Sequence, residues 1–349
     1  MRNTAEKAGI SLFRRAAMTD PFGRTIDYLR ISVTDRCSLR CRYCMPKEGV
    51  PLTAHENILT YEELLLVAEA SVGLGIDRFK ITGGEPLLRK DCPDFIRRLK
   101  ALPGVRQVTL TTNGLLLPEH LEELLSAGLD GVNVSLDTLD EKQFQEITRS
   151  SRSPVQVLDA VKLCSGKLRT KINAVMLPET ESQLLPLAAL ARELPVDVRF
   201  IEQMPIGPGA RTEAGGPPSP SSALMRLKEQ WPLLSPLPEG ERRGNGPARY
   251  YTAPGFQGAV GFIEAVSHSF CSSCNRIRLT STGTLKPCLC YEDGIRLAPV
   301  LRGQHRDRDE LLCELRSAIE TAVRSKPSAH CFDRAESVSE RKSMSQIGG

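Results

Sequence analysis

The sequence predicts an α/β protein organised on a parallel sheet, either doubly wound or curled into a full or partial barrel, and three observations carry that expectation. From about Tyr28 to Glu202, short apolar β-rich runs alternate with amphipathic stretches, the pattern of right-handed βαβ crossovers. The most distinctive polar residues of this region fall just after the apolar runs, where parallel architectures place their ligand sites. At 349 residues the chain is long enough for one such domain of roughly 250 residues plus an appendage, or for two ordinary domains.

In order, strands are expected at Tyr28 to Val33, Arg78 to Thr82, Gln107 to Thr111, Gly131 to Leu136, Lys171 to Met176 and Asp197 to Ile201. Helices lie between them around Tyr61 to Val72, Pro93 to Ala101, Glu119 to Ala127, Val155 to Cys164 and Ser182 to Glu193, each with apolar residues near helical spacing. The Pro/Gly/Ser-rich stretch Pro205 to Pro220 breaks the pattern, and a short helix follows near Ser221 to Lys228. Ala259 to Thr280 reads as a strand-rich segment with its own cysteines. Arg308 to Arg324 reads as a helix with Leu311, Leu312, Leu315 and Ile319 on its apolar face. The final Met344 to Gly349 ends in two glycines and is expected to be flexible. The expected organisation is a loose N-terminal extension (1–19, with Met18 as an alternative start), a barrel-type region (20–204), a Pro/Gly-rich connection (205–250) and a C-terminal region (251–349).

Apolar residues at 40% and charged residues at 25% describe an ordinary globular chain. A net charge of +4, with bases and acids interspersed, offers no polybasic face to nucleic acid. Arg and Lys near the strand ends suit a compact anion such as a phosphorylated small molecule. No apolar run approaches the ~20 residues that cross a bilayer. Eleven cysteines without a signal-peptide pattern, three of them within eight residues, point to metal ligation in a reducing cytoplasm.

Cys37-Ser-Leu-Arg-Cys41-Arg-Tyr-Cys44 places three thiols on one loop after the first strand. Three thiolates can ligate three irons of a cubane and leave the fourth iron open to an amino acid's amine and carboxylate, whereas a structural zinc takes four protein ligands. With Tyr43 before the last cysteine, this spacing resembles the motif of the radical S-adenosylmethionine superfamily. Thr82-Gly-Gly-Glu-Pro86 resembles that superfamily's turn against the methionyl amine: Gly83 and Gly84 would let backbone approach the ligand, and Glu85 would accept from the ammonium. Ser135 and Met204 fall where the same pocket would meet ribose and adenine.

A second group, Phe270-Cys271-Ser-Ser-Cys274-Asn-Arg-Ile-Arg-Leu-Thr followed by Cys288, supplies three more thiols. Cys290 as a fourth ligand would close the site into a structural or electron-transfer role, and the residues alone leave both readings open. Cys92, Cys164, Cys313 and Cys331 stand isolated, and Cys164 and Cys313, in helical stretches, are expected in the core.

Together with Leu29 to Cys37, Lys80 to Arg89, Leu110 to Gly114, Val134 to Leu139, Lys171 to Asn173, Arg199 to Pro205 and Ile347 to Gly349, the second group resembles the GTP 3′,8-cyclase family of molybdenum cofactor biosynthesis. The resemblance covers roughly Met18 to Leu289 and the tail; Ser38 stands where the family usually has Asn, and Pro205 to Asn245 matches poorly. It implies a partial (βα)6 TIM-like barrel with a C-terminal cluster-binding extension, and two 4Fe–4S clusters, one on Cys37, Cys41 and Cys44 and one on Cys271, Cys274 and Cys288, with Cys290 a bystander. It implies S-adenosyl-L-methionine contacts at Tyr43, Gly83, Gly84, Glu85, Ser135 and Met204, and GTP contacts at Arg30, Lys80, Thr111, Lys171, Arg276, Ile277 and Arg278, with Arg276 and Arg278 also serving the reaction. A reductant such as flavodoxin or ferredoxin, a homodimer, a tail that enters the site, and a following cyclic pyranopterin monophosphate synthase belong to the same implication. Independently, so many cations at strand ends would repel one another without a polyanion. Two competing readings are a radical enzyme with an auxiliary cluster acting on peptides, which gives Arg276 and Arg278 no task, and an electron carrier, which leaves Gly83 to Pro86 unexplained.

Overall fold

In the computed structural model, which describes residues 18–207, 218–238, 241 and 243–348, the first half builds six βα units. They comprise β1 (Tyr28–Ser32), α1 (Tyr61–Val72), β2 (Arg78–Thr82), α2 (Cys92–Lys100), β3 (Gln107–Thr112), α3 (Leu117–Ser126), β4 (Gly131–Ser135), α4 (Glu141–Thr148), α5 (Pro154–Cys164), β5 (Arg169–Met176), α6 (Leu184–Glu193) and β6 (Val196–Glu202). The remainder adds α7 (Pro220–Gln230), β7 (Ser235–Pro236), β8 (Arg249–Thr252), β9 (Val260–Ile263), β10 (Arg276–Leu279), β11 (Thr284–Lys286), β12 (Ile295–Arg296), α8 (Ala298–Leu301), α9 (Arg308–Arg324) and α10 (Met344–Ile347). Most of the expected N-terminal extension, residues 1–17, and most of the Pro/Gly-rich stretch, 208–217, lie outside the described residues. No described helix is long and apolar enough to cross a membrane.

Local chemistry accounts for the helix starts. Thr60 and Glu63 form a reciprocal capping box on α1, with Glu63 N donating to Thr60 Oγ1 at 3.1 Å and Thr60 N donating to Glu63 Oε2 at 2.7 Å. Ser153 caps α5, whose first residue is Pro154. The helix α4 escaped the sequence pattern because only Phe144, Ile147 and Thr148 are buried in it; Asp140 caps it, accepting from Gln143 N at 2.8 Å. Leu312, Leu315 and Ile319 bury the apolar face of α9, which packs on α1. Cys313 is exposed, contrary to expectation, because it lies off that stripe, while Cys164 is fully buried as expected.

All strands join one sheet in the order β12-β11-β10-β1-β2-β3-β4-β5-β6-β9-β8-β7. From β10 to β9 every neighbouring pair is parallel. The outer strands are antiparallel additions. The two ends of this order do not pair, so the sheet is an arc, a partial TIM-like barrel extended at both edges by the C-terminal region. Alternation along the strands divides its faces. Leu29 and Ile31, Phe79 and Ile81, Val108 and Leu110, and Ile172 and Val198 join the main hydrophobic core. Arg30, Lys80, Thr109, Asn133, Lys171 and Arg199 face a concave cavity of about 350 Å³.

The turn after β2 is built against the loop after β1. Gly84 N donates to Thr34 O and Glu85 N to Arg36 O, each at 2.7 Å. A Cβ on Gly83 would sit 2.5 Å from Thr34 O, and one on Gly84 2.3 Å from Arg36 O. The glycines are therefore demanded first by a protein backbone, the one leading into Cys37. Gly84→Ala should cost about 1–3 kcal/mol, the usual penalty of overpacking, with Arg36 displaced and Cys37 with it. Thermal unfolding of the anaerobically purified variant is expected to show a melting temperature lower by several degrees and reduced iron incorporation; an unchanged melting temperature would show that the backbone yields freely.

Candidate active site

The loop carrying Cys37, Cys41 and Cys44 is fastened to the end of α4, where Arg40 N donates to Thr148 O at 2.9 Å and Arg42 N to Ile147 O at 3.0 Å. Tyr43 Oη donates to Asp137 Oδ2 at 2.8 Å, and Asp137 Oδ1 accepts from Val175 N, so the loop is tied to β5 as well. All three thiols line the cavity. Burial, then the charge of Cys37, pushes the Cys44 thiol up to about 12; burial and then Asp137 hold Cys41 well above the usual thiol range. Burial pushes Asp137 itself up to about 6. Thiols so placed stay protonated until a metal supplies positive charge, which fits a cluster site. Among the described residues no three His, Cys, Asp or Glu side chains converge on a single-ion position. A cubane asks for a different arrangement, one thiolate at each of three irons.

Gly83, Gly84, Ser135 and Met204 line the same cavity, as does Tyr43. Glu85 does not. Its fully buried carboxylate accepts from Leu87 N at 3.0 Å, Thr112 Oγ1 at 2.8 Å and Asn113 N at 2.7 Å. Burial pushes it up to about 7 against those hydrogen bonds. Glu85 joins the ends of β2 and β3 and sets the backbone of Asn113, whose amide reaches Ser38 Oγ at 3.1 Å.

Cys271, Cys274 and Cys288 also line this cavity, so both cysteine groups share one chamber. Burial raises Cys271, but hydrogen bonds from His330 and Ser269 outweigh it and bring the thiol to about 7. Burial likewise opposes, and Arg276 and Lys326 overcome, to lower Cys274. Cys290 is turned away into a second hydrophobic cluster, its Sγ 3.1 Å from that of buried Cys331. Cys331, expected to be isolated, is therefore Cys290's partner.

The cations form a register. Arg278 of β10 lies opposite Arg30 of β1, which lies opposite Lys80 of β2. Thr111, Asn133, Lys171 and Asp197 continue across β3 to β6 in a parallel row. Burial, then Arg199, Arg30 and Lys171, holds the Lys80 ammonium well below the usual lysine range. Burial lowers Arg30 to about 10, with Arg276 and Arg199 adding to the effect. Among the described residues Arg30, Lys80, Arg199 and Arg276 pair with no carboxylate; Asp197 is committed to Lys171 at 2.8 Å and Arg243 at 2.7 Å. Lys171 also donates to Tyr250 Oη at 2.7 Å and to Arg243 O. The side chain of Ile277 is fully buried in the main core, facing away from its neighbours Arg276 and Arg278, so that only its backbone is left to face the chamber. Arg199 escaped assignment, although a lone arginine alternating with apolar residues in β6 was the available signal. Its guanidinium is held by Asn173 Oδ1 at 2.9 Å through Nε and by Asn133 Oδ1 at 2.7 Å through Nη2.

The end of the chain reaches this chamber. Met344 N donates to Cys44 O at 3.1 Å, and Arg30 Nη2 donates to Gly348 O at 3.0 Å. The expected flexible tail is instead the short helix α10 with Ile347 fully buried, because Ser343 caps it and apolar Ile347 and Met344 join the second hydrophobic cluster. Gly349 lies outside the described residues.

Residues 31–191 match the radical SAM superfamily model, and residues 196–332 match Molybdenum Cofactor Synthesis C. The GTP 3′,8-cyclase of Clostridium perfringens (strain 13 / Type A) is 40% identical over 95% of this chain and 100% of its own length. That of Moorella thermoacetica is 42% identical with the same coverage. Among solved structures, Streptococcus suis SuiB bound to S-adenosylmethionine superposes with a TM-score of 0.58 at 15% identity, over 92% of this chain and 75% of that one. Native anSMEcpe with bound AdoMet gives 0.53 at 16% identity, over 89% and 94%. Such low identities establish the fold alone. The full-length matches to the cyclases go further, and the chain belongs to the GTP 3′,8-cyclase family of the radical S-adenosylmethionine superfamily.

Proposed function

We propose that the chain is a GTP 3′,8-cyclase, converting GTP to (8S)-3′,8-cyclo-7,8-dihydroguanosine 5′-triphosphate with release of 5′-deoxyadenosine and methionine, in the first step of molybdenum cofactor biosynthesis. One observation carries this reading: a single chamber combines two cysteine triads with a group of cations, Arg278, Arg30 and Lys80, held in register on neighbouring strands. The names and full-length coverage of the relatives support it.

Cys37, Cys41 and Cys44 would hold one 4Fe–4S cluster and Cys271, Cys274 and Cys288 the other. With S-adenosylmethionine bound, the first supplies an adenosyl radical by reductive cleavage. Tyr43, Gly83, Gly84, Ser135 and Met204 wall the cofactor. Arg30, Lys80, Thr111, Arg276 and Arg278 bind the nucleotide, and its phosphates offer charge-assisted hydrogen bonds to the cations among them. Lys171 joins them by exchanging one of its three acceptors for a phosphate oxygen. The tail at Met344 and Gly348 narrows the chamber and helps exclude water, which limits side reactions of the intermediates formed there. A low-potential flavodoxin or ferredoxin as electron donor, a homodimer, a cytoplasmic location and a following cyclic pyranopterin monophosphate synthase complete the proposal.

Anaerobic reconstitution with GTP, S-adenosylmethionine and dithionite should yield 5′-deoxyadenosine together with the cyclised nucleotide; production of neither would sink the reading. Cys37→Ala should abolish cofactor cleavage, whereas Cys288→Ala should retain uncoupled cleavage without cyclisation, as chromatography of both products will show. Arg278→Ala removes a charge-assisted contact and should weaken GTP binding about 10–100-fold, the equivalent of roughly 1.5–3 kcal/mol. Its iron–sulfur absorbance should not change, and an unaltered affinity would remove Arg278 from the nucleotide site. Because Lys80 is held below its ordinary range in the free protein and a triphosphate restores it, GTP binding takes up a proton. Affinity should therefore fall as pH rises through the depressed range of free Lys80 towards the ordinary lysine value, because the free protein loses that charge first. Calorimetry in buffers of different ionisation enthalpy will detect that proton, and Lys80→Met should abolish the uptake.

A further inference from the structure

The second triad has a surrounding that no motif in the sequence announced. Lys326, 4% exposed, follows α9 by two residues, and its Nζ donates to Arg276 O at 2.9 Å and Pro287 O at 2.7 Å. Those carbonyls belong to the two chains that carry Cys274 and Cys288. The antiparallel ladder of β10 and β11 pairs Arg278 with Lys286 and Leu279 with Leu285. Beyond Arg278 and Lys286 the chains part towards their cysteines, and the ammonium bridges them where the ladder stops. Among the described residues Lys326 has no carboxylate within ion-pair distance, and an ammonium this buried is costly beside neutral carbonyls alone.

Four residues later the same segment reaches Cys271. His330 N donates to Cys271 Sγ at 3.3 Å. The ring's Nδ1 accepts from Phe332 N at 3.2 Å, which assigns the proton of the neutral imidazole to Nε2. That Nε2 is buried and has no hydrogen-bond partner in its present geometry, and the ring is held by stacking on Phe332 at 4.4 Å between centroids. Arg24 locks the intervening chain: it donates to Pro327 O at 2.6 Å, Ser328 O at 3.0 Å and Cys271 O at 2.9 Å. Every cysteine of the second triad is thus bordered by a donor from this short segment. The first triad instead has Asp137 and Glu85 among its charged neighbours, alongside Arg40.

We infer that Lys326 and His330 are positioning residues of the second cluster, Lys326 setting the separation of Cys274 and Cys288, and both donors raising the reduction potential of the iron–sulfur group held there. The physical reason is that reduction adds one negative charge, which an adjacent ammonium and an N–H aimed at a thiolate sulfur stabilise more than they stabilise the oxidised form. The anionic cluster in turn supplies the counter-charge that buried Lys326 lacks. This rests on the assignment of Cys271, Cys274 and Cys288 as ligands.

The test is a redox titration, followed by electron paramagnetic resonance, of the full chain carrying Cys37→Ala, Cys41→Ala and Cys44→Ala, so that only the second cluster contributes, with dithionite as one-electron donor. Adding Lys326→Met should shift the reduction equilibrium about tenfold towards the oxidised form, ~59 mV more negative for a one-electron couple. Lys326→Arg should recover most of that shift; His330→Pro, which removes the backbone N–H donating to Cys271 Sγ, should move it in the same direction by less, and His330→Ala, which keeps that N–H, should leave it nearly unchanged. If Lys326→Met loses iron outright, restoration of iron by Lys326→Arg supports the spacing role, and failure of that rescue overturns it. An unchanged potential in Lys326→Met with full iron content overturns the proposal. Absence of any second-cluster signal before these substitutions would instead overturn the ligand assignment beneath it.

Discussion

Like charges held in register by parallel strand pairing are the constraint around which this protein is arranged. Neighbouring strands run ~4.8 Å apart. If the heads of Arg278, Arg30 and Lys80 kept that spacing, each adjacent pair would repel by roughly 3 kcal/mol at an effective dielectric of about 20. The backbone ladder and the apolar residues alternating with them, Leu29 and Ile31, Phe79 and Ile81, and Ile277 and Leu279, oblige the row to stay assembled. Repulsion accumulated in this way is released by an anion that can touch several cations at once. The placement of these cations therefore begins in the core on the other face of the same strands.

The C-terminal region supplies the elements that complete this arrangement. Its β9 lengthens the arc beside β6, and its β10 lengthens it beside β1, so one segment contributes to both edges. Between them lies Phe270 to Cys274, and after them Cys288, which explains how two cysteine groups more than two hundred residues apart face one chamber.

Much of this was legible beforehand, and the failures have identifiable causes. Periodicity located β1 to β6 and the helices α1 and α9 because each carries a full apolar stripe or run. It missed α4, a helix with little to bury, and placed Cys313 in the core from helical context without asking which side of the helix it occupies. The pairing of β10 with β1 cannot be read from either strand, since nothing local in Arg276–Leu279 names a partner so far upstream. Residue type alone also did not show that the carboxylate of Glu85 is hydrogen-bonded within the fold, by an amide and a hydroxyl at the end of β3. Glycine composition suggested a loose tail, whereas the apolar Ile347 just before it decides where that tail rests.

The ends of the arc carry a consequence for the molecule's behaviour in a crowded solution. A long sheet with open margins is a template on which other chains can extend. Here one margin is β7, a two-residue strand containing Pro236, which has no amide hydrogen to offer an incoming strand, and the other is β12, two residues long and bearing the exposed Arg296. The protein can thus keep its curved sheet unclosed without presenting a margin on which neighbouring copies could polymerise.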